Sequence, residues 1–313
     1  MGQYGRFHVS QRGAGIQRGL DYFERALALD PEYALAHAGI SGALALLGFY
    51  GYMPAYEGMP KARRAAQRAI DIDPKLAEPY ASLMFVMWAY DWDWSGAERA
   101  FQRAIALDDR LTPAYLWRAL HQSAHGWFED AIATTKRAIE IDPLSGPSHL
   151  AHAVAYISAR RFDDAETAAH RGIEIDPNLW PATWARGVAL RAAGRLEEAF
   201  TLLEQSATMS RRHHWPLSEL VVAHAIAGHP QEGQRLREEL VERARTQYVP
   251  PGSMAVACLG LGLTDEAFEW LERAYREHDT FVTFNHWPYP GTADPRWRQM
   301  YRRIGLGSDT RYK

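Results

Sequence analysis

A phrase of fourteen residues recurs along the chain at a nearly fixed interval. Arg25–Ala38 reads RALALDPEYALAHA, Arg68–Ala81 reads RAIDIDPKLAEPYA, and the same wording returns from Arg103, Arg137 and Arg171. The proline of each Asp-Pro, or its equivalent, falls at Pro31, Pro74, Asp109, Pro143 and Pro177, with spacings of 43, 35, 34 and 34 residues. A second marker keeps the 34-residue interval at Gly126, Arg160, Gly194, Gly228 and Gly262. Small residues keep it at Ala104, Ala138, Gly172 and Ser206, and again at Ala131, Ala165 and Ala199. Between markers the apolar residues fall at helical spacing, so each interval holds two amphipathic helices. The Gly or Arg marker ends the first helix. Asp-Pro ends the second, because Pro cannot continue the hydrogen-bond ladder. One such pair cannot bury its apolar face alone, so the units must stack. Length alone would suggest two ordinary domains; the repeat replaces that reading.

A 34-residue helix–turn–helix with this small-residue and Asp-Pro pattern resembles the tetratricopeptide repeat. The resemblance implies an all-α, right-handed α-solenoid of about eight repeats, starting near residues 1, 34, 77, 112, 146, 180, 214 and 248. The array is expected over 1–281, with a C-terminal tail and capping helix over 282–313. The second repeat carries a nine-residue insertion within 48–60, and the third one extra residue at YDWDWSGAE, Tyr90–Glu98. Arg211, Arg245 and Asp279 stand where Pro is expected in the later repeats. LLGFYGYMPAYEGMPKA, YDWDWSGAERAFQRAI and AFEWLERAYREHD resemble the module that follows winged-helix DNA-binding domains, Ser/Thr kinases or nucleotide cyclases in bacterial regulators. Here no such effector precedes the repeats, which suits either a free-standing module or a piece of a larger regulator. The resemblance implies sensing or scaffolding through a concave surface, on a bacterial protein.

Composition removes other classes. Hydrophobic content of 47% with 23% charged residues is globular. A net charge of −3 argues against a general nucleic-acid binder. One cysteine, Cys258, excludes an intrachain disulfide and a cysteine-based zinc site. Residues 33–56 lack Asp, Glu, Lys and Arg but are broken by His37, Ser41, Pro54 and four glycines, so no membrane span is expected. The N-terminus lacks a signal pattern, and Arg6 stands where a myristoylation motif wants Ser or Thr, so a cytoplasmic protein is expected. Only four of the 35 cations are lysines, which suits a GC-rich genome as well as a choice of Arg for anion contacts.

Function is sought where residues 34 apart form rows on the first helices. One row is aromatic and apolar: Trp184 aligns with Leu150, Leu116 and Ala81, and Val188 with Val154, Leu120 and Phe85, with Trp88, Trp117 and Trp215 nearby. It would receive an extended or helical apolar peptide, or serve as packing between repeats. A second row reads Leu83, Arg118, His152, Arg186, Leu220, Met254, with three polar residues where apolar ones are expected. Buried guanidiniums need partners, and Glu166 is a candidate, although Glu98 holds the same place two repeats earlier. His149 and His121 add polar atoms. This row is consistent with an ion-pair network, with a pocket for a small anionic ligand, or with an active site using His152 or Glu166 for acid–base chemistry.

The pairs His121/His125 and His149/His152 have metal-compatible spacing, but nearby arginines oppose a cation, and no metal or cofactor is expected. His213–His214 reads as a surface loop. The chain lacks a P-loop, a dinucleotide fingerprint and a nucleophile elbow. Residues 294–304 read as a short capping helix, with Trp297, Met300, Tyr301 and Ile304 on one face and a basic tail beyond. The expectation is a binding or scaffold module for a peptide or small ligand, with a groove-sited enzyme as the alternative. A homodimer is a further possibility, with the segment TFVTFNHWPYPG (Thr280–Gly291) of one copy in the groove of another.

Overall fold

The computed structural model describes residues 14–284, 286–291 and 294–307; the start of the first expected repeat, with Arg6, and the tail residues Arg311 and Lys313 lie outside them. Among the described residues there are sixteen α-helices and no strand. The fold is an all-α helical repeat. It divides into two compact units, one running through His121 and the other from Gln122.

The N-terminal unit contains α1 (Ala14–Leu29), α2 (Ala34–Phe49), α3 (Ala55–Ile72), α4 (Glu78–Val86), α5 (Trp94–Leu107) and most of α6 (Thr112–Ala124). The extra residue of the third repeat is absorbed by a π-helical turn, Met87–Asp91, that closes α4 and ends on Trp92 in the left-handed region (φ 57°). A single inserted residue is what such a bulge accommodates without breaking the helix. The longer insertion lengthens α2 and supplies the turn before α3.

The C-terminal unit holds α7 (Phe128–Ile141), α8 (Gly146–Ser158), α9 (Phe162–Ile175), α10 (Trp180–Ala192), α11 (Leu196–Met209), α12 (His214–Ile226), α13 (Pro230–Arg243), α14 (Pro251–Gly260), α15 (Thr264–Arg276), a 3₁₀ turn (Thr280–Thr283) and α16 (Pro295–Arg303). The repeat markers have physical work. Gly126, Gly194, Gly228 and Gly262 all adopt φ of 73–82°, and Arg160 takes the same conformation at 58°. Each lets the chain close the end of the first helix with paired bonds, such as Trp127 N–H to Gln122 O and Gly126 N–H to Ser123 O. At the other end of each unit the aspartate matters as much as the proline. Asp73, Asp108, Asp142 and Asp176 accept the N–H two residues on, at 2.9–3.1 Å, and fix the turn. The small-residue columns are fully buried at Ala104, Ala138, Ser206, Ala131, Ala165 and Ala199, where helices approach most closely.

The chain's last described helix is α16. Asp294 caps α16 by accepting from Arg296 N–H, and Trp297, Met300 and Ile304 are buried. Arg296 of the basic tail pairs with Asp265 and Asp294, and Arg303 with Glu272. No helix among the described residues is long and apolar enough to cross a membrane.

Candidate functional site

The polar row resolves into a repeating ion pair. Arg118 on α6 donates to Glu98 on α5 at 2.9 Å, and its guanidinium lies 4.2 Å from the Phe101 ring centre. Arg186 on α10 makes the same reach of twenty residues to Glu166 on α9, at 3.1 and 2.7 Å. Arg195 closes the second oxygen of Glu166 at 2.9 Å. The hydrogen bonds from Arg186 and then Arg195 hold the Glu166 carboxyl below its ordinary range, despite partial burial. In the repeat between these two pairs, the position of Glu98 and Glu166 is Ile132, and the arginine position is His152. With no carboxylate to face, a neutral side chain fits: His152 Nδ1 meets Thr135 Oγ1 at 2.7 Å. Burial first, then Lys136 and His149, lowers its pKa to about 4. His149 is likewise buried, its ring bonded to Pro143 O at 3.1 Å. Thus Arg118 and Arg186 spend their charge on carboxylates of the preceding helix.

In the N-terminal unit the aromatics form a cluster on the helices themselves. Phe85 and Trp88 are fully buried, Trp117 is half-buried, and the Phe85 and Trp117 ring centres are 4.3 Å apart. Phe49, from the end of α2, meets both Phe85 and Trp117 edge-on. His121 is buried and stacks on Trp94 at 5.7 Å.

In the C-terminal unit the aromatic row carries a second layer. Trp184 on α10 and Trp215 on α12 pack at 4.8 Å. Trp184 is nonetheless 7% exposed, because Trp287 stacks on it at 5.1 Å with ring planes 20° apart. Trp287 belongs to residues 286–291, which lie across first helices of this unit. His286 sits over Gly126, where a Cβ would meet its ring at 3.3 Å, and packs edge-on against Phe128. The Pro288 carbonyl accepts from Arg191 Nη1 at 3.3 Å. Tyr289 donates its hydroxyl to Glu219 Oε1 at 2.8 Å, while Arg191 Nε donates to Glu219 Oε2 at 2.9 Å. Arg191 and Glu219 are 3% and 1% exposed, which makes this the most deeply buried of the described ion pairs. Burial, with Glu219 alongside, pushes the Tyr289 phenol well above its ordinary range, so it stays a donor.

Of the stretch offered as a possible occupant of another copy's groove, residues 286–291 lie on helices of their own chain. Arg191, Glu219, Trp287 and Tyr289 were missed. The available signal was a lone acid in the apolar run of α12, opposite the second arginine of α10. The reading of His213–His214 as a surface loop is corrected: both are buried. His213 caps α12 and packs on Trp180, and His214 meets Ser253 Oγ at 2.7 Å. The missing turn proline leaves Arg211 and Arg212 left-handed, which turns these rings inward. Cys258 is buried, and burial pushes its thiol pKa up. Among the described residues no group of three or more His, Cys, Asp or Glu side chains is placed to share a metal ion.

A sequence profile of the tetratricopeptide repeat matches residues 150–211. No curated protein matches the chain by sequence. Among solved structures, the fold is similar to a chain of the APC/C hetero-tetramer Cut9–Hcn1, with a TM-score of 0.60 and 12% identity, over 93% of this chain and 54% of that one. It is similar also to the human IFIT1 dimer with PPP-AAAA, with a TM-score of 0.57 and 16% identity, over 84% of this chain and 68% of that one. An IFIT1 monomeric mutant with Gppp-AAAA matches at a TM-score of 0.59 and 15% identity over the same shares. Identities this low establish the fold alone.

Proposed function

We propose, from the tetratricopeptide-repeat match over residues 150–211, that the chain is a binding module whose C-terminal unit receives a peptide on the face of α10 and α12. The observation that carries this reading is that an aromatic and proline-containing segment, turned at Pro288 by the Tyr289 N–H to Trp287 O bond, already lies on that face, held by Trp184, Arg191 and Glu219. The face has the parts a peptide site needs: a flat aromatic platform for one side chain, a donor for a backbone carbonyl and a buried acceptor for a hydroxyl. In this reading Arg118–Glu98 and Arg186–Glu166 are staples between consecutive helices, and His152 is a packed neutral residue. The pairing of Glu166 with Arg186 and Arg195, and of Arg118 with Glu98, supports this structural reading over the enzyme alternative for His152 and Glu166.

The test is a peptide-array selection on the full chain, followed by titration of the selected peptides into Trp184→Leu. This variant keeps an apolar, though smaller, side chain and removes the stacking platform. Binding should fall at least tenfold with helical content unchanged. Selected peptides that bind the variant as tightly as the parent would place the site elsewhere.

A further inference from the structure

We infer that residues 286–290 are a resident occupant of this site, and that the partner is a protein presenting an aromatic–Pro–Tyr turn that displaces them. The inference rests on the peptide-module reading above and adds the recognised chemistry and its control. The contacts of the segment are specific to residue type. Trp287 offers a ring to Trp184; Pro288 offers a carbonyl to Arg191 and, lacking an N–H, leaves no donor to satisfy. Tyr289 is buried with its hydroxyl on a carboxylate, so Phe in its place would strand Glu219 with one fewer donor.

The segment is held as a ligand is held. Among the described residues no backbone–backbone hydrogen bond joins 286–291 to a helix; the hold comes from side chains. It is also incomplete. Arg191 Nη2 and Trp184 Nε1 are buried in the seat and have no acceptor there. A partner segment that supplies one gains bonds residues 286–291 do not make. Because the occupant is tethered, it competes at an effective concentration of about millimolar, so an isolated peptide of equal quality binds the intact chain weakly. Loosening the occupant should therefore raise affinity for a peptide in trans, an effect that a merely structural cap would not show.

The experiment uses the full chain and a labelled peptide, Phe-Asn-His-Trp-Pro-Tyr-Pro-Gly, followed by fluorescence anisotropy. The variants are Trp287→Ala and the milder Tyr289→Phe, whose ring still packs if the first unfolds. Both should bind the peptide at least tenfold more tightly than the parent chain does. The same peptide with Phe in place of its Tyr should lose most of that gain. Equal affinity for the parent chain and both variants overturns the inference. So does concentration-dependent dimerisation of the parent chain with exchange of residues 280–291, since the occupant would then be a second copy. Peptides that bind through Trp184 without competing with residues 286–290 overturn this inference alone. Absence of Trp184-dependent binding in every variant overturns the peptide-module reading with it.

Discussion

The two aromatic clusters differ in where their second layer comes from. In the N-terminal unit Phe49, Phe85, Trp88 and Trp117 arrive on the first helices of successive repeats and close on one another. In the C-terminal unit Trp184 is covered by Trp287 and Glu219 by Tyr289, residues that lie 70 or more positions further along the chain than their partners. The first is a packing solution between neighbours, and the second a surface with something laid on it. A repeat period predicts rows of equal character, yet one row became core and the other a seat.

This contrast can be broken or sharpened by experiment, from the largest effect downward. Arg191→Leu should cost about 3–5 kcal/mol of stability, because it leaves Glu219 buried with Tyr289 as its remaining partner. Replacing both charges, Arg191→Met with Glu219→Leu, should recover much of that loss; chemical denaturation measures both. Phe85→Ala should cost about 3–5 kcal/mol through the cavity it leaves. That loss should not be restored by the aromatic–Pro–Tyr peptide, whereas the loss in Trp287→Ala should be restored in part. Equal rescue of both variants would erase the distinction between core and seat.

Acid should loosen the C-terminal unit next. Burial lowers His125 and His152 to about 4, and lowers His286, which also faces Arg160 and bonds Ala124 O. Below pH 6.5 the unfolded chain takes up protons that these rings refuse, so stability falls as pH drops and the loss is complete near pH 4. Asp279, buried and raised to about 6, works in the opposite direction, favouring the fold as it protonates. Several rings outweigh one carboxyl, so the urea midpoint should fall between pH 6.5 and 4, with partial solvent access reducing the size of the shift. The smallest effect belongs to Arg118→Leu. Its pair with Glu98 is a quarter exposed, and about 1 kcal/mol or less should be lost.

How much of this was legible in the sequence follows from the same physics. Helix ends and the small-residue columns were readable because Gly and Asp-Pro act locally. The partners of Arg118 and Arg186 were half-readable. Glu166 and Glu98 stand at the same repeat position, and that recurrence is itself the signature of an inter-repeat staple. The burial of His213 and His214 was hidden by a turn that had lost its proline. Residues 286–291 were hardest: they carry no period, and their place is set by Arg191 and Glu219, which local patterning cannot pair.

The most direct test puts a photo-cross-linking phenylalanine at position 287 of the full chain and maps its adducts with and without the aromatic–Pro–Tyr peptide. The account predicts an intramolecular adduct to the α10 peptide containing Trp184 in the free chain, diminished as the peptide is added. An adduct to a second copy, or an intramolecular adduct unchanged at saturating peptide, would contradict it.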